Sequence, residues 1–460
     1  MEQILIVGAG LVGVLQSLYL ERAGYAVTVL DANPDPRDAK LARGRSINLT
    51  LCDRGFAALE EVGAADLVRR HAVPCYGRVI HAEDGSTDYQ PYGSRREAIW
   101  SIRRRELTRL LVEHAASADG TEFHFGERVE EVDLETLEVA SHNAVFARAS
   151  RFRVDRLIGA DGAYSAVRLR MLQSSGFDYS QSYLDQAYTE LDAPPEEGGG
   201  WALEPAEAIH IWPRGDHMLI GFPNRDGSFA LSLHMPLEGE ISFATIERPE
   251  ELLGLFERTF PDAVPVVPRL VESFFERPAN SMVTIRCWPW TRDGRVALLG
   301  DAAHALVPSY GQGANSGFED CSVFAACLEE AGGDWERALP AYQAARKPNA
   351  DAIADLALEH FHELRDYVGD PAFLLRKRIE RKVEELCPDR YAPLYSLVSF
   401  TCVPYVEAIE RDRGQQWIID RLAGMPGIEE RLDDADALYP ILERLFAERA
   451  AEPEEVAAGR

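Results

Sequence analysis

Three short motifs carry the residues best suited to chemistry. The stretch RVALLGDAAHALVPSYGQGANSGFED, Arg295 to Asp320, reads as a buried strand (Arg295 to Leu299), a Gly-Asp turn, and a Pro/Gly-rich loop feeding a helix that starts near Gly311. Asp301 would then stand at the carboxyl end of a parallel strand. The small residues at the following helix amino terminus would leave free N–H groups and the positive end of a dipole open to an anionic or polar cofactor. Near the start of the chain, Gly8-Ala-Gly10-Leu-Val-Gly13 lies between QILIV and an amphipathic stretch ending at about Ala23, with Gly24 as its stop. Gly8 permits a tight turn, Gly10 lets a pyrophosphate approach the backbone, and Gly13 lets helix pack on strand. Asp31 closes the next strand, YAVTVLD, where a carboxylate can accept both hydroxyls of a ribose. The third motif, Asp161-Gly162-x-x-Ser165-x-x-Arg168, follows an apolar run and reads as a turn feeding a helix; standing alone it would be a plain Asp-Gly turn.

These motifs need a frame to bring them together. Residues 1–73, 98–177 and 278–350 read as three parts of one Rossmann-like domain. Residues 74–97 and 178–277, with strand-like alternation in AIHIWP, HMLIGFP and SFALSLHMP, read as an inserted sheet-rich substrate domain. Residues 351–460 read as a helical C-terminal region. WSIRRRELTRLLVEHAA reads as helix, with Leu107, Leu110 and Leu111 on one face. The expected class is α/β.

At 460 residues the chain can bury a large core in two or three lobes. A formal charge of −28 opposes binding to nucleic acid or to an anionic membrane, so a small molecule is the expected partner. A homodimer is left open. Seven cysteines are scattered without CxxC spacing, which points to reduced thiols in the cytoplasm and against zinc. The first strand begins at Gln3, leaving no room for a signal peptide before it. Pro393 and Pro404 break the most apolar late stretch, so no stable membrane span is expected. His210, His234, His360 and His362 lack metal-ligand spacing.

Taken in order, the three motifs resemble the single-component aromatic hydroxylases that bind FAD, with the p-hydroxybenzoate hydroxylase-like fold. Arg43-Gly-Arg-Ser-Ile-Asn-Leu, Gln90-Pro-Tyr-Gly, Trp100-Ser-Ile, His210-Ile-Trp-Pro, Gly311-Gln-Gly and Tyr395-Ser-Leu-Val-x-Phe narrow this further. Over residues 1 to about 410 the chain resembles the kynurenine 3-monooxygenase family. The resemblance implies FAD contacts at Gly8, Gly10, Gly13, Asp31, Arg43, Arg104, Asp161, Asp301, Gly313 and Asn315. For Arg43 and Arg104 the alternative is a solvated arginine. Pro308, Gly311, Gln312 and Gly313 would form the catalytic loop beside the flavin. Arg78, Tyr92 and Tyr395 would hold the substrate carboxylate, a task that suits a guanidinium with phenol donors. Two positions depart from the family: His360 stands where Asn is usual, and Ser309-Tyr310 precedes Gly-Gln-Gly. His360 and Tyr310 would lie by the ring or the substrate head group.

The implied reaction is 3-hydroxylation of L-kynurenine, or of a ring-substituted kynurenine, with NADPH or NADH and O2, through a C4a-hydroperoxyflavin. No second glycine fingerprint serves the nicotinamide. Another tryptophan-derived aryl amino acid is an alternative substrate, and a non-catalytic flavin-binding protein an alternative class. A flavin-dependent halogenase would need a WxWxIP segment, whereas Trp288-Pro-Trp290 continues Thr-Arg-Asp. His304 reads better as a packed histidine than as a proton donor.

Overall fold

The computed structural model describes residues 2–38, 47–93, 96–117, 120–276, 278–366 and 371–451. Its centre is the strand Gln3–Val7, whose Ile4, Leu5 and Ile6 are at most 1% exposed. A strand apolar on both faces belongs in the middle of a covered parallel sheet. It pairs in parallel with Ala26–Asp31 on one side and Arg156–Gly159 on the other. Thr121–Phe125 and Val296–Leu298 extend the parallel order outward, and the short Thr291–Arg292 closes one edge antiparallel.

The helix Leu11–Arg22 crosses between the first two of these strands, and Gly24 ends it at φ +88°. The helix Gly313–Glu330 packs against it. Gly317, Cys321, Phe324 and Leu328 recur at helical spacing on its buried face. The approach is close: a Cβ on Gly317 would stand 2.6 Å from Val12 Cγ2, and one on Gly300 2.9 Å from the same atom. The two glycine-bearing ends of the chain thus meet at Val12.

The second lobe is a seven-stranded sheet. Its order is Asn280–Trp288, Asp178–Ala193, Phe229–Pro236, His217–Pro223, Ile209–Arg214, Gly77–His81, Thr87–Pro91. All neighbours are antiparallel except Ile209–Arg214 with Gly77–His81. Trp212, Leu219, Phe229, Leu231 and Leu233 fill its back face against Leu252, Phe256 and Phe260 of an α-helical cover. Its front face presents Met218, Tyr188 and Ile220 to Tyr310, Ile353, Leu397 and Tyr405.

Two elements differ from the expectation. Residues 100–103, expected as helix, belong to the strand Ile99–Arg103, paired with both Asn48–Leu51 and Val73–Cys75; the helix begins at Arg104. Two antiparallel neighbours offer the backbone of these residues a full set of partners, and that overrides a helical pattern read from one segment. Residues 280–288 are the edge strand of the seven-stranded sheet, though the sequence placed them with the Rossmann-like part.

After Glu330 the chain is helical: Trp335–Asp366, Pro371–Leu386, Leu394–Ser399, Tyr405–Ala423 and Ala435–Ala451 are the longer pieces. No helix among the described residues is long and apolar enough to cross a membrane. No group of three or more acids, histidines or cysteines among them could hold a metal ion.

Candidate functional site

The glycine turn is built as its spacing demands. Gly8 has φ +105°, and a Cβ there would lie 2.4 Å from the Ala160 carbonyl oxygen. Gly13 abuts the turn itself, since its Cβ would stand 1.9 Å from Gly8 O. Gly10 differs: a Cβ there would meet nothing within 4 Å, so this face of the turn is open. Asp31 reaches back to the turn, its carboxylate accepting from Ala9 N at 2.6 Å and Asn33 N at 2.7 Å.

Asp161 caps the helix behind its own turn, accepting from Ala166 N at 2.7 Å. Ser165 shares the task, with Arg168 N donating to its Oγ at 2.9 Å. The other Asp161 oxygen, Oδ1, is buried without a protein partner. Burial raises the Asp161 carboxyl above its usual range against these hydrogen bonds. Arg168 donates to Ala302 O at 2.7 Å and covers the Tyr179 ring, fastening this motif to the short helix Asp301–His304. Asp301 itself is exposed at the start of that helix.

Beyond it, Pro308–Tyr310 is a 3-10 turn, Gly311 is left-handed at φ +66°, and the helix starts at Gly313, two residues later than Gly311. Pro308 is exposed. The side chains of Gln312 and Asn315 turn inward. Gln312 Oε1 accepts from Tyr405 OH at 3.0 Å. Asn315 joins Cys52 N, Thr50 O and Gly311 O at 2.9 to 3.0 Å. Both therefore shape the helix mouth and leave its first N–H groups open. A Cβ on Gly313 would meet nothing within 4 Å.

The open faces at Gly10 and Gly313, the unpaired Asp161 Oδ1 and the acid at Asp31 fit a dinucleotide with a flavin ring, spanning from the first glycine turn to the later helix mouth. Arg104 is exposed on the first turn of its helix, and Arg43 lies outside the described residues.

A second constellation lies where the seven-stranded sheet meets the C-terminal helices. Tyr92 stacks on Tyr395 at 5.6 Å, Tyr395 on Tyr310 at 5.6 Å, and Tyr310 meets His360 at 4.8 Å. Phe400 closes the group, 5.9 Å from Tyr92. Arg78, on the adjacent strand, is held by Gln90 Oε1 at 3.0 Å. Burial pushes the Tyr92 and Tyr310 phenols well above their ordinary value, so both are neutral donors. Burial, with Arg78 and Lys377 nearby, lowers His360 to about 3, which keeps it neutral at physiological pH. Its Nδ1 is buried and unpaired. Ser309 Oγ donates to Ala357 O, pinning the Pro308–Tyr310 turn to the helix that carries His360.

A family model for the FAD binding domain matches residues 1–218 and 268–357. The kynurenine 3-monooxygenase of Christiangramia forsetii is 42% identical over 441 residues, covering 96% of this chain and 98% of its own.

The chain belongs to the kynurenine 3-monooxygenase family.

The kynurenine 3-monooxygenase of Myxococcus xanthus is 41% identical, over 93% of this chain and 92% of its own. Among solved structures, 2-methyl-3-hydroxypyridine-5-carboxylic acid oxygenase superposes with a TM-score of 0.64 at 21% identity, covering 81% of this chain and 95% of that one. The p-nitrophenol 4-monooxygenase of Pseudomonas putida does so with a TM-score of 0.65 at 20% identity, covering 82% and 92%. These last two establish the fold.

This kynurenine 3-monooxygenase family member also carries a buried ionic network that sequence reading missed. Asp320, fully buried, accepts from Gly300 N at 2.8 Å and pairs with His304 at 2.6 Å and Arg346 at 2.7 Å. Burial pushes the Asp320 carboxyl up, and the charges of His304 and Arg346 more than offset it. Arg346 and Arg54 both bind Glu319, and Arg54 lies 4.0 Å from the Tyr405 ring centroid. The network ties the Gly-Asp turn and the helix mouth to the C-terminal region. Its one sequence signal was the acid pair Glu319-Asp320 set between Phe318 and Cys321 on the buried face of this helix.

Proposed function

We propose that the protein hydroxylates L-kynurenine, or a ring-substituted kynurenine, at the 3-position, using FAD, NADPH or NADH, and O2. The observation that carries this reading is the convergence of Arg78, Tyr92, Tyr395, Tyr310 and His360 beside the loop that ends at the Gly313 helix mouth. FAD held there would supply the redox chemistry, electrons from the nicotinamide and activation of O2 for transfer of one oxygen atom to an electron-rich ring.

The chain's own residues do the rest. Gly8, Gly10, Gly13, Asp31 and Asp161 hold the cofactor, with Asp301 beside its polar chain. The N–H groups at the start of the Gly313 helix, with the helix dipole behind them, would stabilise negative charge on a flavin ring held at this mouth. Arg78 binds the substrate carboxylate as a charge partner, and the phenols of Tyr92 and Tyr395 donate to it. Rings packed on the remaining sides exclude water and strengthen each of these interactions. The unpaired Nδ1 of neutral His360 offers a hydrogen bond to a polar group of the head or ring, which supports extending the substrate to ring-substituted kynurenines. A cytoplasmic location belongs to the same reading, supported by seven cysteines that are all unpaired.

Oxidation of NADPH by the purified holoenzyme, measured against L-kynurenine, methylated kynurenines, anthranilate and tryptophan, tests the proposal. Kynurenine-stimulated oxidation with one atom of labelled O2 in the product is the expected result. Oxidation indifferent to every member of the panel would reject it and leave a flavin-binding protein without this activity.

A further inference from the structure

Behind the strand that carries Arg78, on the sheet face turned from the aromatic cluster, three side chains form a line. Asp262 Oδ2 lies 2.6 Å from His81 Nδ1 and 2.8 Å from Trp212 Nε1. His81 Nε2 lies 2.9 Å from His210 Nδ1, and His210 Nε2 lies 3.1 Å from the carbonyl oxygen of Pro205. The His81 ring stacks on Trp212 at 4.0 Å, and His81 and His210 are 7% and 0% exposed.

The end groups fix how many protons this line holds. The Pro205 carbonyl can only accept, so His210 Nε2 carries a proton. Asp262 is a carboxylate: burial would raise it, but hydrogen bonds from His81 and Trp212 more than offset that, so it too only accepts, and His81 Nδ1 carries a proton. The central contact between the rings needs one N–H more. Three N–H groups on two imidazoles are one more than two neutral rings possess. The excess charge belongs on His81, whose neighbour is an anion, because His210 is wholly buried and meets only a carbonyl. Burial lowers His210 to about 4, in agreement.

We infer that the His81–His210 pair is a buried cation centred on His81, and that its bond to Asp262 fixes the strand Gly77–His81 so that His81 and Asp262 are positioning residues for Arg78. This rests on the assignment of Arg78 to the substrate carboxylate. The strand needs such a fastening. It joins the body of the sheet through three parallel residue pairs only, Arg78 with Ile209, Val79 with His210 and Ile80 with Ile211. Its other neighbour, Thr87–Pro91, is the sheet edge. The cation ties the end of this hairpin to the loop holding Asp262 on one side and the loop holding Pro205 on the other. Arg214 reinforces the first tie, donating to His81 O at 2.8 Å and to Thr259 O. Asp262 is the charged group bonded to the His81 ring, and Arg214, whose own charged neighbours are Glu83 and Asp262, meets the His81 backbone.

His81→Gln cannot span both neighbours, and Asp262→Asn removes the anion that holds the extra proton. In both variants of the holoenzyme, KM for L-kynurenine rises roughly ten- to a hundred-fold with kcat changed by less than about threefold, as for a displaced positioning group. KM for 2-aminoacetophenone, which has the ring but no carboxylate, stays at the wild-type value. An unchanged KM, or equal losses for both compounds, overturns the positioning role. The charge has its own readout. With 15N-histidine labelling, both His81 nitrogens of the holoenzyme resonate as protonated at pH 7 in wild type, and Asp262→Asn abolishes this. A neutral His81 in wild type overturns the cation whatever the substrate proves to be, whereas a wild type that ignores kynurenine refutes the proposed function and leaves the nitrogen spectrum to decide the cation.

Discussion

The ring of Tyr92, which follows an edge strand of the sheet, stacks on that of Tyr395, from a short helix late in the chain, at 5.6 Å and an interplanar angle of 19°. Arg78 stands beside the pair and pulls the Tyr395 phenol down against the larger raising effect of burial. A cation with two neutral phenols suits a carboxylate, and on the proposed function its removal has a defined cost. Arg78→Met weakens L-kynurenine binding by about 2 to 5 kcal/mol, the usual penalty for leaving a buried charge without its partner. FAD affinity is unchanged in this variant. Equilibrium titration of both ligands measures it, and wild-type substrate affinity would dismiss the carboxylate assignment.

Gly10 and Gly13 separate cofactor binding from folding. A Cβ on Gly10 meets open space, whereas one on Gly13 stands 1.9 Å from the Gly8 carbonyl oxygen. Gly10→Leu therefore gives an apoprotein that melts within about 1 kcal/mol of wild type but takes up no flavin. Gly13→Ala lowers the stability of the apoprotein itself by roughly 1 to 3 kcal/mol, since backbone must move. Equal melting losses in the two would contradict this division.

Asp320 has three protein partners and no exposure. Asp320→Ala leaves buried Arg346 with only Glu319, which Arg54 shares, and leaves Gly300 N and His304 without their acceptor, at a cost of about 3 to 5 kcal/mol in urea unfolding. A change smaller than about 1 kcal/mol would mean that Glu319 alone satisfies Arg346.

His360 makes stability depend on pH in a known direction. Its folded value is about 3, against about 6.5 in the unfolded chain. Above pH 6.5 it is neutral in both states and contributes no pH dependence. Between 6.5 and 3 only the unfolded chain takes up the proton, so stability is lost as pH falls. His360→Asn abolishes that share. The stability lost from pH 7 to pH 4 is smaller in the variant than in wild type by roughly 3 kcal/mol. Parallel pH–stability curves for the two proteins would show that His360 is solvated.

Much of the frame was legible in the chain because the signals were local. Gly8 needs a positive φ, Ser165 caps the helix three residues before Arg168, and a strand as apolar as Gln3–Val7 has its place in a covered sheet whatever surrounds it. The sheet-rich insert was legible from alternation. Residues 100–103 were not, because two other strands compete for their backbone. Nor was the helix mouth to the residue: Pro308–Tyr310 forms its own turn before the helix at Gly313, and the anchor of that turn, Ala357 O, comes from another helix.

The amino-acid sequence by itself determined the α/β class, the dinucleotide turn and the family, since each follows from residue types at fixed short spacing that constrain φ, caps and strand ends. Tertiary structure alone decided that Asp320 is held by His304 and Arg346, that Gln312 and Asn315 turn inward, and that His81, His210 and Asp262 share protons in one line. Contacts among buried polar groups depend on which surfaces the folded chain presses together and shields from water, and no spacing along the sequence records that.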